Sequence, residues 1–204
     1  MSKIDIDSMD NLHFDVLKEL GNIGAGNATT ALAQMLNKKL DMKVPVVQMV
    51  GFDSLASTIC GEEELVVGIY LMLEDDISGS MMFLLPEPSA HSLVNLLMCR
   101  PEEDMQPFSD MDLSALQEIG NIISGAYLSA LSTLTQMTIA ASVPYISIDM
   151  AAAILSVPAI EFGQIGDKAL LIKTEFGDEV MIDGYFILIP ALDSYDKIME
   201  SLGL

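Results

Sequence analysis

An α+β fold made from an internal duplication is what this sequence predicts, and two observations predict it. Each half opens on one long helical pattern and continues through short runs of strand character bounded by turn residues, an order that argues for antiparallel strands rather than an alternating parallel sheet. The second observation is a repeat with a spacing of 99 residues. Between 15–45 and 114–144 ten positions are identical: Leu17/Leu116, Glu19/Glu118, Gly21/Gly120, Asn22/Asn121, Ile23/Ile122, Gly26/Gly125, Ala31/Ala130, Leu32/Leu131, Val44/Val143 and Pro45/Pro144. The expected unit is helix–strand–strand–strand–helix, present twice (about 10–100 and 110–204) in a pseudo-twofold arrangement. One domain over residues 1–204 is expected, its halves joined by an acidic, Pro-containing linker.

Residues 12–37 carry a helical periodicity of about seven turns. Asp41–Gly51, with Val44, Val46, Val47 and Val50, reads as a strand entered near Pro45. Leu65–Leu73 and Gly79–Leu85 read as two strands of a meander about the Glu74–Ser78 turn, and Ser89–Cys99 returns to helical spacing after Pro86 and Pro88. Arg100–Asp110, with Pro101, Pro107 and several acidic residues, has the composition of a linker. The plan then repeats: a helix from about Asp112 to Gln136, strands Ser142–Ile148, Ala169–Glu175 and Val180–Ile189, and a helix Ser194–Leu202. Asp149–Ser156 reads as an extra helix without a counterpart in the first half, where Asp53–Ile59 matches it poorly.

With 204 residues and 51% hydrophobic composition the chain can bury a large core. Thirty Asp and Glu against nine Lys and Arg, a net charge of −21, argue against nucleic acid and against anionic membrane surfaces. Cys60 and Cys99 are the only cysteines, and no signal peptide or twenty-residue apolar run is visible, so a cytoplasmic protein without membrane insertion is expected. His13 and His91 lack metal-ligand spacing, and the acidic clusters at 62–64, 74–76 and 102–104 lack a calcium-loop pattern, so no metal site is expected.

On a helix, Asp15, Glu19, Asn22 and Gly26 fall within about 60° of one another, and so do Ser114, Glu118, Asn121 and Gly125. Each set is one polar stripe facing solvent. The opposite face, expected to pack inward, holds Leu17, Gly21, Gly24, Ala28, Ala31 and Met35 in one helix and Leu116, Gly120, Ile123, Tyr127, Ala130 and Leu134 in the other. Helical glycines cost about 1 kcal/mol each relative to Ala. Gly21 and Gly24 are therefore expected to admit another backbone closely, and Gly26 to keep the surface beside Asn22 open. A phosphate-cradling loop is disfavoured: residues 21–26 lack the dinucleotide fingerprint, no strand precedes them, and the second copy keeps only two of the glycines. Neither Glu nor Asn is a nucleophile, and no histidine is placed to serve as a base. A carboxamide can instead hold one water by donating and accepting hydrogen bonds, as water-positioning side chains do in phosphoryl hydrolysis, while a carboxylate suits a salt bridge to a partner's lysine.

The pattern Asp/Ser-x3-Glu-x2-Asn-x22-Pro, present at Asp15, Glu19, Asn22, Pro45 and again at Ser114, Glu118, Asn121, Pro144, resembles the signature of the CheC-type chemotaxis phosphatases, which are related to CheX and to the amino-terminal part of FliY. The resemblance covers residues 10–204. It implies a phosphatase acting on the phosphorylated response regulator CheY, with Glu19 and Glu118 engaging the regulator's active-site lysine and Asn22 and Asn121 orienting the hydrolytic water. Asp15 and Ser114 would flank these faces, and Pro45 and Pro144 would shape the turn beneath them. It also implies no cofactor of its own, the Mg²⁺ being carried by CheY, and a possible second partner, the receptor deamidase CheD, contacted at Asp149. The end of the sequence at Leu204, without the further switch module of FliY-like proteins, leads to the expectation of a free-standing phosphatase. The alternatives are a non-catalytic adaptor binding CheY or CheD in chemotaxis or the flagellar switch, and, less well supported by a stripe on a helix surface, an enzyme for a small phosphate ester.

Overall fold

The computed structural model describes residues 11–162, 168–178 and 181–203. In chain order the elements are α1 (Asn11–Leu36), β1 (Asp41–Met42), β2 (Val46–Gly51), a 3-10 turn at Phe52–Ser54 leading into α2 (Leu55–Ile59), β3 (Leu65–Asp75), β4 (Gly79–Pro86) and α3 (Glu87–Met98). The second half runs α4 (Asp110–Thr135), β5 (Ile139–Ala141), β6 (Tyr145–Met150), α5 (Ala151–Phe162), β7 (Lys168–Gly177), β8 (Met181–Pro190) and α6 (Leu192–Ser201). Mixed helix and antiparallel strand is thus the fold class, and the long helices end at Leu36 and Thr135, positions 99 apart, as the repeat requires.

Among the described residues all eight strands join one antiparallel sheet. The hairpins β3–β4 and β7–β8 meet through β4 and β8 at its centre, where Phe83 lies opposite Phe186. The outer strands are exchanged: β2 of the first half pairs with β7 of the second, and β6 of the second with β3 of the first. Because side chains alternate across a strand, the hairpins feed two separate apolar layers. Ile69, Leu71, Met81, Phe83, Ile172, Phe186 and Leu188 pack with α1, α4 and residues of α3 and α6, whereas Val66, Met82, Leu84, Leu171, Ile187 and Ile189 pack with α2 and α5 on the other side. Helices on both faces explain why β4 is buried along nearly its whole length and why its sequence shows no polar alternation.

Three expectations change. The strands expected at Asp41–Gly51 and Ser142–Ile148 are each split by the proline. Met42 pairs with Phe176 and Val46 with Lys173, so three residues face two on the partner strand; Ala141 and Tyr145, opposite Leu73 and Tyr70, repeat the offset. Each is a bulge, as befits a residue that cannot donate to the ladder. Asp149–Ser156 is the second: its helix spans Ala151–Phe162, and it has a shorter counterpart in Phe52–Ile59. Identity is lost there but burial is kept, Leu55 and Ala56 occupying the places of Ile154 and Leu155, and α2 stops early ahead of Gly61, whose φ of 122° belongs to a turn. Third, the acidic connection is packed rather than a loose tether. Phe108 stacks on buried His91 with ring centroids 4.1 Å apart, and Asn95 donates to the carbonyl of Asp104 at 2.8 Å.

The start of α4 is fixed by a capping box. The Ser109 N–H and hydroxyl donate to Asp112 at 2.9 and 2.8 Å, and the Ser109 hydroxyl accepts from the Asp112 N–H. Arg100 adds a nitrogen 2.8 Å from the other carboxylate oxygen. Burial pushes the Asp112 carboxyl up, but the bonds from Arg100 and Ser109 more than offset this and hold it below the usual carboxylate range.

Two consequences can be measured. A methyl group at Gly24 would lie 2.3 Å from the Tyr127 ring, which is held by stacking on Phe186 at 4.0 Å and by a 3.1 Å bond to Thr174. Gly24→Ala should therefore destabilise by about 1–3 kcal/mol in denaturant unfolding, despite the better helix propensity of Ala. For Asp112 the folded-state pKa is depressed, so its contribution is present above the unfolded value of about 3.9 and is lost as pH falls through the folded value. Asp112→Asn should cost on the order of 2 kcal/mol at neutral pH, and the gap from wild type should close on acidification below about pH 4, as followed by thermal melts.

Candidate active site

Both polar stripes face solvent. Asp15, Glu19 and Asn22 on α1 and Ser114, Glu118 and Asn121 on α4 are exposed, while Leu17, Leu20, Leu116 and Ile119 beside them are buried. The glycines on the inner faces set how near the helices lie. A methyl at Gly21 would come 2.7 Å from a Val47 methyl, and one at Gly120 would come 2.5 Å from Ile69. At Gly21 and Gly24, where a backbone was expected to approach, side chains of Val47 and Tyr127 fill the space instead. At Gly26 and Gly125, by contrast, an added methyl would meet nothing within 4 Å, so the helix surface one turn beyond each asparagine is clear. The buried face is also broader than one stripe, because α1 and α4 pack on each other as well as on the sheet. Leu20, Ala25 and Leu32 are buried, while Ala31 is half-buried and Met35 is 37% exposed.

The proline bulges complete the two sites. At the second, Ser114, Gln117, Glu118 and Asn121 face Ala141–Pro144 across an open groove of about 440 Å³. The Gln117 side-chain amide donates to the Pro144 carbonyl, and the Met72 N–H donates to the Ser142 hydroxyl at 3.0 Å, so the bulge is held by both helix and sheet. At the first, Pro45 is buried and the equivalent anchor is Lys43, whose N–H donates to the Glu175 carbonyl at 3.0 Å and whose ammonium pairs with the Glu175 carboxylate, holding that carboxyl low. The position of Gln117 is taken by Lys18, which pairs with Asp15 at 3.4 Å on the same helix. Gln117 carries no sequence signal, since its partner is 27 positions away. The valine before each proline was visible in the repeat, but its exposure, 81% for Val44 and 84% for Val143, was not.

A carboxylate and a carboxamide one helical turn apart can hold a cation and one oriented water. The open groove suits a macromolecular surface better than an enclosed small ligand. No group of three His, Cys, Asp or Glu side chains among the described residues could hold a metal ion, and no helix there is long and apolar enough to cross a membrane.

Asp149 lies on β6, not on a helix. It is exposed, opposite Val66 in register, and its carboxylate accepts the Met150 N–H at 2.8 Å. Met150 next to it in the chain is 46% exposed, and further along α5 Val157 and Ile160 are exposed at 50 and 78%.

Residues 12–49 and 111–148, the segments that carry the stripes and the bulges, each match the CheC-like family. Over most of its length the chain resembles the CheY-P phosphatase CheC of Bacillus subtilis, with 37% identity over 194 residues covering 93% of both chains. It is 26% identical to the flagellar motor switch phosphatase FliY of the same organism, covering 97% of this chain and 51% of that one. The crystal structure of Thermotoga maritima FliY shares the fold with a TM-score of 0.76, at 21% identity, covering 96% of this chain and 98% of that one. With its signature segments matched twice and a relative this similar along almost all of its length, the chain belongs to the CheC-like family.

Proposed function

We propose that this protein is a phosphatase that hydrolyses the aspartyl phosphate of the chemotaxis response regulator CheY in the cytoplasm, at two sites, one on α1 and one on α4. The observation that carries the reading is the pair of solvent-facing Glu–Asn stripes, each beside a proline bulge, in the two segments that match the family. Glu19 and Glu118 dock the regulator by pairing with a lysine at its phosphorylation site. Asn22 and Asn121 hold the attacking water in line with the phosphorus by accepting one of its hydrogens and donating to its oxygen, an arrangement whose effect is positional and electrostatic. Asp15 and Ser114 border the reacting face, and Pro45 and Pro144 fix the bulge opposite it. The Mg²⁺ that neutralises the phosphoryl oxygens belongs to CheY, which leaves this chain without a cofactor of its own. A large negative charge favours approach to an exposed lysine.

A second reading is a non-catalytic adaptor that holds CheY or CheD in chemotaxis or at the flagellar switch, and it draws on the motor switch that the FliY relative is named for rather than on that relative's phosphatase activity. Phosphate release from phosphorylated CheY and Mg²⁺, with and without this protein, separates the two. An adaptor would leave the rate at that of CheY alone.

Within the phosphatase reading, Asn22→Ala or Asn121→Ala should each leave part of the activity, and the double change should remove nearly all of it while binding is spared. The double change Glu19→Ala with Glu118→Ala should weaken binding at least as much as turnover. Titrations of both double variants decide between these roles, and equal losses of affinity would show the assignment to be wrong.

CheD, as a second partner, is assigned to the segment that begins at exposed Asp149 and runs through Met150 into α5, where a charge precedes exposed apolar residues in the chain. Asp149→Lys should weaken CheD binding in a pull-down or titration and leave unstimulated phosphate release intact. Unchanged CheD affinity would remove Asp149 from that role.

A further inference from the structure

Val44 and Val143 stand at the same place in the two bulges, each just before a proline, and each is more than four-fifths exposed. Singly exposed valines are ordinary. These two are the same residue at one pseudo-symmetric position, and the local geometry holds both outward. The bulge adds a residue to the edge strand, the following proline confines the valine to extended backbone, and the anchors through Ser142 and Gln117, or through Lys43, prevent the loop from folding over. Val143 lines the same groove as Glu118 and Asn121. On the helix beside each site, Gly26 and Gly125 occupy interior positions where alanine would be the better helix former and where an added methyl would touch nothing in this chain. Their demand for space therefore comes from outside the chain.

We infer that Val44 and Val143 are the apolar anchors of the docking surface for phosphorylated CheY, and that Gly26 and Gly125 leave the clearance through which its backbone approaches. The inference rests on the phosphatase reading and extends it. The Glu–Asn stripe supplies charge and water orientation but little apolar area, and a surface of that kind needs a buried apolar contact at its centre to hold a macromolecule. Burying one valine side chain on the partner corresponds to roughly a tenfold gain in affinity. A receiver domain carrying an apolar rim beside its acyl phosphate is the partner that this arrangement fits.

Steady-state hydrolysis of phosphorylated CheY, together with titration against CheY carrying beryllofluoride in place of the phosphoryl group, tests the assignment. Val44→Ser with Val143→Ser should raise KM and the dissociation constant by tenfold or more and leave kcat within about twofold, with an unchanged melting curve because both side chains are already in solvent. Val44→Ile with Val143→Ile should keep wild-type affinity. Gly26→Ala with Gly125→Ala should melt at a higher temperature and yet bind more weakly, a pairing that a purely structural role does not produce. Wild-type KM in the serine variant, or undiminished affinity in the alanine variant, would overturn the assignment while leaving the phosphatase reading in place. A wild-type protein that neither binds CheY nor speeds its dephosphorylation would overturn both.

Discussion

The close approach of α1 and α4 to the sheet is the constraint on which the rest of this structure depends. At Gly21, Gly24 and Gly120 even one methyl would fall within 3 Å of a neighbouring side chain, so the helices lie as near the sheet and each other as their backbones allow. That proximity fixes the rotation of each helix about its axis. Once Gly21 or Gly120 must face the strands, the Glu–Asn positions two residues before and one residue after it are turned to solvent. It also brings α4 near enough to the β5–β6 bulge for Gln117 to reach the Pro144 carbonyl. Site geometry and core packing are in this sense one requirement.

Exchange of the outer strands adds a second level of coupling. Each proline bulge is borne by a strand of one half but hydrogen-bonded to the hairpin of the other, so removing either half would strip the other of an edge strand and leave its own bulge without those hydrogen-bond partners. The two sites are nonetheless not copies. The first carries an ion pair within its stripe, Asp15 with Lys18, and anchors its bulge through the charged pair Lys43 and Glu175, whereas the second uses the neutral contacts of Gln117 and Ser142. The electrostatic character around the shared Glu–Asn pair therefore differs between the two, and salt screens the first more strongly than the second.

Much of this was legible in the sequence because it rests on short-range regularities. Helical period and a fixed repeat spacing placed α1 and α4 to within a residue or two, and the stripe that the period predicted is exposed at both copies. What was missed depends on partners distant in the chain. The continuous strand expected at Asp41–Gly51 ignored that Pro45 has no N–H to give to β7, a strand more than a hundred residues later. The helix Phe52–Ile59 escaped notice because only the burial of Leu55 and Ala56 is kept there, and identity with the second half is not.

The sequence by itself determined the duplication, the long helices, the polar stripes and the resemblance that carries the chemistry, since each follows from residue identity at fixed spacing along one element. Only the tertiary structure decided that the outer strands cross between halves, that Asp149 belongs to a strand, that the acidic connection is pinned by Phe108 and Arg100, and that the valines before the prolines stand in solvent. Those outcomes are set by which surfaces meet across the sheet. A contact between residues tens of positions apart leaves no periodicity in the chain for a reader to find.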